Sequence, residues 1–144
     1  MLAVGLAVAQ GPEDATIEGR WLVQKQDGIV LIEPSGSELV GKLVWVKDRD
    51  GIKGTERLDA RNPQPELRSR HVLGMVILTG LPLEPDESGV YRGGRIYNPK
   101  TGRLMPIRVQ LEAPDRLRVR VGNRLLHQTT HWTRVDSDSL STDE

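Results

Sequence analysis

Arg116 to Gly122 reads RLRVRVG: Leu117, Val119 and Val121 alternate strictly with Arg116, Arg118 and Arg120. In an extended chain successive side chains point to opposite faces, so this stretch has one apolar face and one guanidinium face. That is a strand with a dry side and a wet side. The preceding stretch repeats the rule, with Ile107, Val109 and Leu111 alternating with Arg108, Gln110 and Glu112. Pro114-Asp115 leaves room between them for a tight turn only, so the two read as an antiparallel hairpin. An inward-facing row of Arg116, Arg118 and Arg120 would bind a carboxylate. The Leu/Val face makes the better interior, and the arginines are expected outside.

The same patterning extends in both directions. RWLVQ, IVLIE, ELVGKLVWVK, HVLGMVILTGL and GVYRGGRIYN precede the hairpin, and LLHQTTHWTRV follows it, making eight strand candidates. Turns are marked by Asp27-Gly28, Pro34 to Ser37, Pro82 with Pro85, Asn98-Pro99 with Gly102, and Gly122-Asn123. Gly93-Gly94 falls inside a strand pattern and marks a bulge or bend. No stretch carries a sustained 3.6-residue period. The polar segment Asp48 to Arg70 interrupts the series as a long loop, with room for a helical turn or two in Glu56 to Arg68. Consecutive antiparallel strands predict an all-β, up-and-down barrel, which leaves no exposed edge; a two-sheet sandwich is the alternative.

Composition narrows the function. The chain has 144 residues, one domain's worth, with 20 basic and 20 acidic residues and no net charge. That balance argues against electrostatic nucleic-acid binding. There is no cysteine, which removes disulfides, thiolate nucleophiles and cysteine metal sites. There is no phenylalanine either, so the interior must be built from Val, Leu and Ile. Eight strands enclose a packed interior or one small ligand, and aliphatic side chains leave more space than aromatic ones. Leu2 to Ala9 (LAVGLAVA) ends in a small-x-small pattern, which predicts signal cleavage after Ala9 and a periplasmic or secreted protein. The expected organisation is a signal at 1–9, a leader at 10–16, a barrel at 17–135 and an acidic tail at 136–144. No segment is long enough for a membrane-spanning helix.

Catalytic patterns are missing from the sequence. There is no Gly-x-Ser-x-Gly and no phosphate-cradling glycine loop, and Asp48 and Asp50 sit in a polar turn. His127 and His131 have the spacing of a helical zinc pair, but on a strand they lie roughly 13 Å apart. His71 is isolated. No metal, no cofactor and no enzymatic activity are expected.

The two ends of the pattern carry a signature. Gly19-x-Trp21 opens the first strand and Trp132-x-Arg134 closes the last. This resembles the signature of calycins, the lipocalins and their relatives. The resemblance implies that Trp21 plugs the closed end and Arg134 packs across its ring, a contact contributing roughly 0.5–2 kcal/mol. Trp132 brings a second ring to the same seam. A wider resemblance covers Ile17 to Val135. Asp59-x-x-Asn62-Pro63, Leu67-Arg68-x-Arg70, Leu73-Gly74 and Gly93-Gly94-x-Ile96-Tyr97-Asn98-Pro99-x-x-Gly102 are similar, in this order, to the bacterial family called domain of unknown function 2147. That implies a small exported protein with a lipocalin-like barrel and no assigned activity. The chain departs from the family at Arg103-Leu104-Met105-Pro106, where Gly-Lys-x-Tyr is usual.

Asp59 and Asn62 have two readings. The favoured one is loop architecture, since Asx side chains accept backbone N–H bonds at turns. The other is a lid that presents Arg68 and Arg70 to an anionic head group. The functional expectation is an exported, non-enzymatic barrel holding a fatty-acid-like or other small apolar ligand. Trp45, Met75, Ile77, Tyr97 and Met105 would line the interior, with Arg68 and Arg70 beside it. The alternative is a cell-envelope interaction module whose barrel is filled by its own side chains.

Overall fold

In a computed structural model, which describes residues 16–136, every expected strand forms. They are β1 (Gly19–Leu22), β2 (Gly28–Ser35), β3 (Glu38–Val46), β4 (Val76–Pro82), β5 (Val90–Asn98), β6 (Arg103–Ala113), β7 (Arg116–Gly122) and β8 (His127–Val135). Each pairs antiparallel with the next, and β1 pairs with β8, so the eight strands close into a barrel. Closure rules out the sandwich. The expected signal segment lies outside the described residues, as does the tail beyond Asp136.

The β6–β7 hairpin behaves as its alternation requires. Val109 pairs with Val119 and Leu111 with Leu117 on the inner face, while Arg108 pairs with Arg120 and Gln110 with Arg118 on the outer. Val109, Leu117 and Val119 are wholly buried.

The barrel has two unlike ends. One gathers the start of β1, the end of β8 and the β2–β3, β4–β5 and β6–β7 turns, above a core of Ile17, Trp21, Leu39, Leu81 and Leu117. From there to the waist, Val30, Leu78, Val109 and Val119 have no accessible surface. A void large enough for water would leave accessible area on its lining, so these side chains fill their half. Two inward glycines make that packing possible. A Cβ at Gly41 would lie 2.8 Å from both Leu78 Cβ and Val30 Cγ1, and one at Gly94 would lie 2.7 Å from Leu81 Cδ2. Val30, Leu78 and Leu81 occupy the space that side chains at these two positions would need.

At the other end the packing loosens. Val23, Val46, Ile96 and Val121 rest on the core yet are only partly buried. The β3–β4 connection folds over this end with two short 3-10 turns, Gly54–Glu56 and Pro65–Leu67. It is pressed against β3, since a Cβ at Gly54 would fall 1.7 Å from the Val46 carbonyl oxygen.

Candidate functional site

Three clusters of side chains arise from this architecture. The first is a clasp at the closed end. Barrel closure sets Trp21 directly opposite Arg134, and the guanidinium carbon sits 4.4 Å from the ring centroid. Arg134 does more than stack. Its Nε donates to the Pro114 carbonyl, and its two terminal nitrogens donate to the Glu18 and Thr16 carbonyls, each at 2.7 Å. One cation thereby ties the β6–β7 turn to the chain entering β1. Trp21 Nε1 donates to the Ile17 carbonyl at 2.8 Å, so the buried indole keeps no orphan donor. Gly19 is required here: its φ is +128°, and a Cβ would lie 2.6 Å from an Arg134 nitrogen. Burial lowers the pKa of Arg134, against the opposing field of Asp115.

The second cluster centres on Asp59, which is fully buried. Its Oδ1 accepts from the Tyr97 hydroxyl at 2.7 Å, and its Oδ2 accepts from Asn62 Nδ2 at 2.8 Å and from Arg70 at 3.1 Å. Burial alone would raise its pKa, but the Tyr97, Asn62 and Arg70 hydrogen bonds outweigh that and hold it below 3.8. Tyr97 responds in the opposite sense. Burial, the bond it donates to Asp59 and the charge of Asp59 push its phenol up to about 12. A raised pKa stabilises the protonated native state; that contribution is complete below pH 10 and is lost as pH rises towards 12. Ultraviolet titration of the folded protein should therefore show a tyrosine ionising near pH 12 that is missing in Tyr97→Phe, and Asp59→Asn should bring that midpoint down.

The Asp59 hub ties the long loop to the barrel. Arg68 Nε donates to the Asn62 carbonyl at 2.7 Å, and Asn62 Oδ1 caps the Gln64 amide at 2.8 Å. Gly102 in the β5–β6 turn has φ +75°, and a Cβ there would lie 2.0 Å from the Arg61 carbonyl oxygen. Two separate sequence blocks, Asp59-x-x-Asn62-Pro63 and Tyr97-Asn98-Pro99-x-x-Gly102, thus form one contact. Arg68 and Arg70 are engaged within the loop, where Asn62 and Asp59 hold them.

The third cluster is the open end itself. Met105 pairs with Ile96 and Ile107 with Val121. On β8, Thr130 and Gln128 pair with Val119 and Val121, so its inner face turns polar towards the mouth. Met75 and Ile77 belong to the packed core. Trp45 stands elsewhere: a bulge sets it opposite Ile29, while Leu43 pairs with Val30, so Trp45 falls on the face away from Val30.

Residues 19–134 match the family described as an uncharacterized protein conserved in bacteria, DUF2147. The chain belongs to that family. The DUF2147 barrel is also similar in structure to protein HP1028 of the human pathogen Helicobacter pylori, a lipocalin-family protein. The two share 21% identity over 89% of this chain and 88% of that one, with a TM-score of 0.74. That likeness shows the fold. No curated protein matches the chain.

Within the DUF2147 barrel the histidines sit apart, as strand geometry requires. His131 Nε2 lies 3.5 Å from Glu112, and His127 Nδ1 lies 3.2 Å from an Arg120 nitrogen. Among the described residues, no group of three or more His, Cys, Asp or Glu side chains is placed to hold a metal ion. Sequence reasoning missed the Tyr97–Asp59 bond. The adjacency of Ile96-Tyr97 to the Asn98-Pro99 turn was its one available signal.

Proposed function

We propose that this protein is an exported, non-enzymatic binding protein that holds the end of a small apolar ligand, such as a fatty-acyl chain, in its open mouth. One observation carries the reading. Around the waist Val30, Leu78, Val109 and Val119 are wholly buried, while Val23, Val46, Ile96 and Val121 rest on the core towards the open end and remain partly accessible. An apolar pocket edged by a few polar groups is the usual form of a small-molecule site. Thr130 and Gln128 supply those groups at the rim. The ligand space is shallow, because Met75 and Ile77 are used in packing.

Native mass spectrometry of the protein after exposure to a lipid extract tests the reading; retained acyl-chain adducts are expected. A fluorescent fatty acid should bind the wild type and lose about tenfold in affinity in Val121→Trp, which fills the mouth. No adduct, together with probe binding indifferent to Val121→Trp, would leave the mouth without a role. The second reading, a filled barrel acting through its surface, is favoured by the packing at Gly41 and Gly94. Clean apo protein in the same experiment would support it.

Export rests on Ala7-Val8-Ala9 at the end of an apolar run. N-terminal sequencing from the native host should begin at Gln10. An intact Leu2 to Ala9 segment in a cytoplasmic fraction would refute it.

A further inference from the structure

The outer face of β5, β6 and β7 carries positive charge that the described residues leave largely unbalanced. Arg108 and Arg120 are directly opposed across β6 and β7, and like charges at such a pair oppose folding. Arg95 stands on the same outer face, opposite Pro106. Between these strands and the β7–β8 turn lies an open hollow of about 380 Å³, rimmed by Arg92, Arg95, Arg108 and Arg124. Arg92 is paired, its Nε 2.5 Å from Asp86. Among the described residues, Arg95, Arg108 and Arg124 make no salt bridge. Gly93 lies at the hollow with φ +89° and open space where a side chain would project, so the backbone there is uncovered.

The adjoining turn supplies an independent observation. Asn123 Oδ1 accepts the backbone N–H groups of Leu125 and Leu126 at 2.9 and 2.8 Å, and the Asn123 amide donates to the Leu126 carbonyl at 3.0 Å. This well-made turn holds Leu125 95% exposed and Leu126 76% exposed, immediately after Arg124. Two leucines presented to water on a hydrogen-bonded tip, beside a cluster of guanidinium groups, match a bilayer interface in both of its chemistries.

We propose that the arginine hollow receives the phosphate of an anionic lipid headgroup while Leu125 and Leu126 enter the acyl region of the same bilayer. Guanidinium groups suit phosphate because their planar fork donates two parallel hydrogen bonds. The tip belongs to the open end of the barrel, so docking would bring the mouth to the membrane surface. The docking itself does not depend on any ligand in the mouth.

Co-sedimentation of the full chain with phosphatidylcholine vesicles, with and without phosphatidylglycerol, tests the proposal. Binding is expected to the anionic vesicles only and should weaken several-fold as salt rises. Arg95→Gln/Arg108→Gln and Leu125→Ser/Leu126→Ser should each weaken it about tenfold. Arg116→Gln/Arg118→Gln removes the same charge outside the hollow and should leave binding nearly unchanged; circular dichroism checks that every variant is folded. Equal loss in that control would reduce the site to diffuse charge. Equal binding to neutral vesicles, or none to either, would overturn the proposal. Inorganic phosphate added to labelled protein in NMR separates the sources: shifts at Gly93 and Arg124 without vesicle binding would assign the hollow to free phosphate and refute the bilayer.

Discussion

Trp21→Ala is expected to lower the unfolding free energy by about 3–5 kcal/mol, through the lost ring volume and contacts at a wholly buried site. The effect should be large because β1 is short. Four residues contribute to its ladder, and three pairs join it to β8, so the side-chain clasp carries much of the closure. Arg134→Ala should cost about 2–3 kcal/mol, since three charge-assisted hydrogen bonds go with the ring contact and are not additive. The double variant should fall short of the sum by at least about 0.5 kcal/mol, because the two groups touch. Arg134→Lys should restore only part of the loss. A compact ammonium cannot cover the indole and serve three separated carbonyls at once. Denaturant unfolding of the four variants measures all of this, and strict additivity would make Trp21 and Arg134 independent.

Asp59→Ala should cost on the order of 3 kcal/mol, since the Tyr97 hydroxyl and the buried Asn62 amide each lose their acceptor. The Arg70 contribution is small, because that side chain is nearly half exposed and solvent screens it. The same group sets an acid limit. Asp59 has a folded pKa below 3.8, so its contribution is present above that value and is lost as pH falls through the folded one. Urea unfolding between pH 7 and the acid range should show a decline that is reduced in Asp59→Asn. An unchanged acid limb in Asp59→Asn would assign the decline to other carboxylates.

Strand identity was legible because it is local. The alternation of Leu117, Val119 and Val121 with three arginines decides burial within seven residues, and β7 forms as read. The Gly19-x-Trp21 and Arg134 pairing was legible for a different reason: once eight consecutive strands close, the first and last must be neighbours. The bulge at Gly93 followed from a glycine pair in a strand pattern, and its register shift is present.

Other features depended on contacts between distant segments. Arg68 and Arg70 sit in a polar loop, and nothing in their spacing says that Asn62 and Asp59 occupy them. Tyr97 reads as an interior side chain until the loop folds back and sets Asp59 against its hydroxyl. Trp45 shares the parity of Gly41 and Leu43, which face inward, and the bulge between Leu43 and Trp45 reverses it. By itself, then, the sequence determined the strands and their succession, because periodicity acts through neighbouring residues, and its ordered motif blocks pointed to the family; pairing of β1 with β8 decided between barrel and sandwich. The tertiary structure decided which half of the interior is filled, what Asp59 holds and where the unpaired arginines gather. Those outcomes depend on volumes and charges brought together from strands and loops far apart in the chain, which no local pattern records.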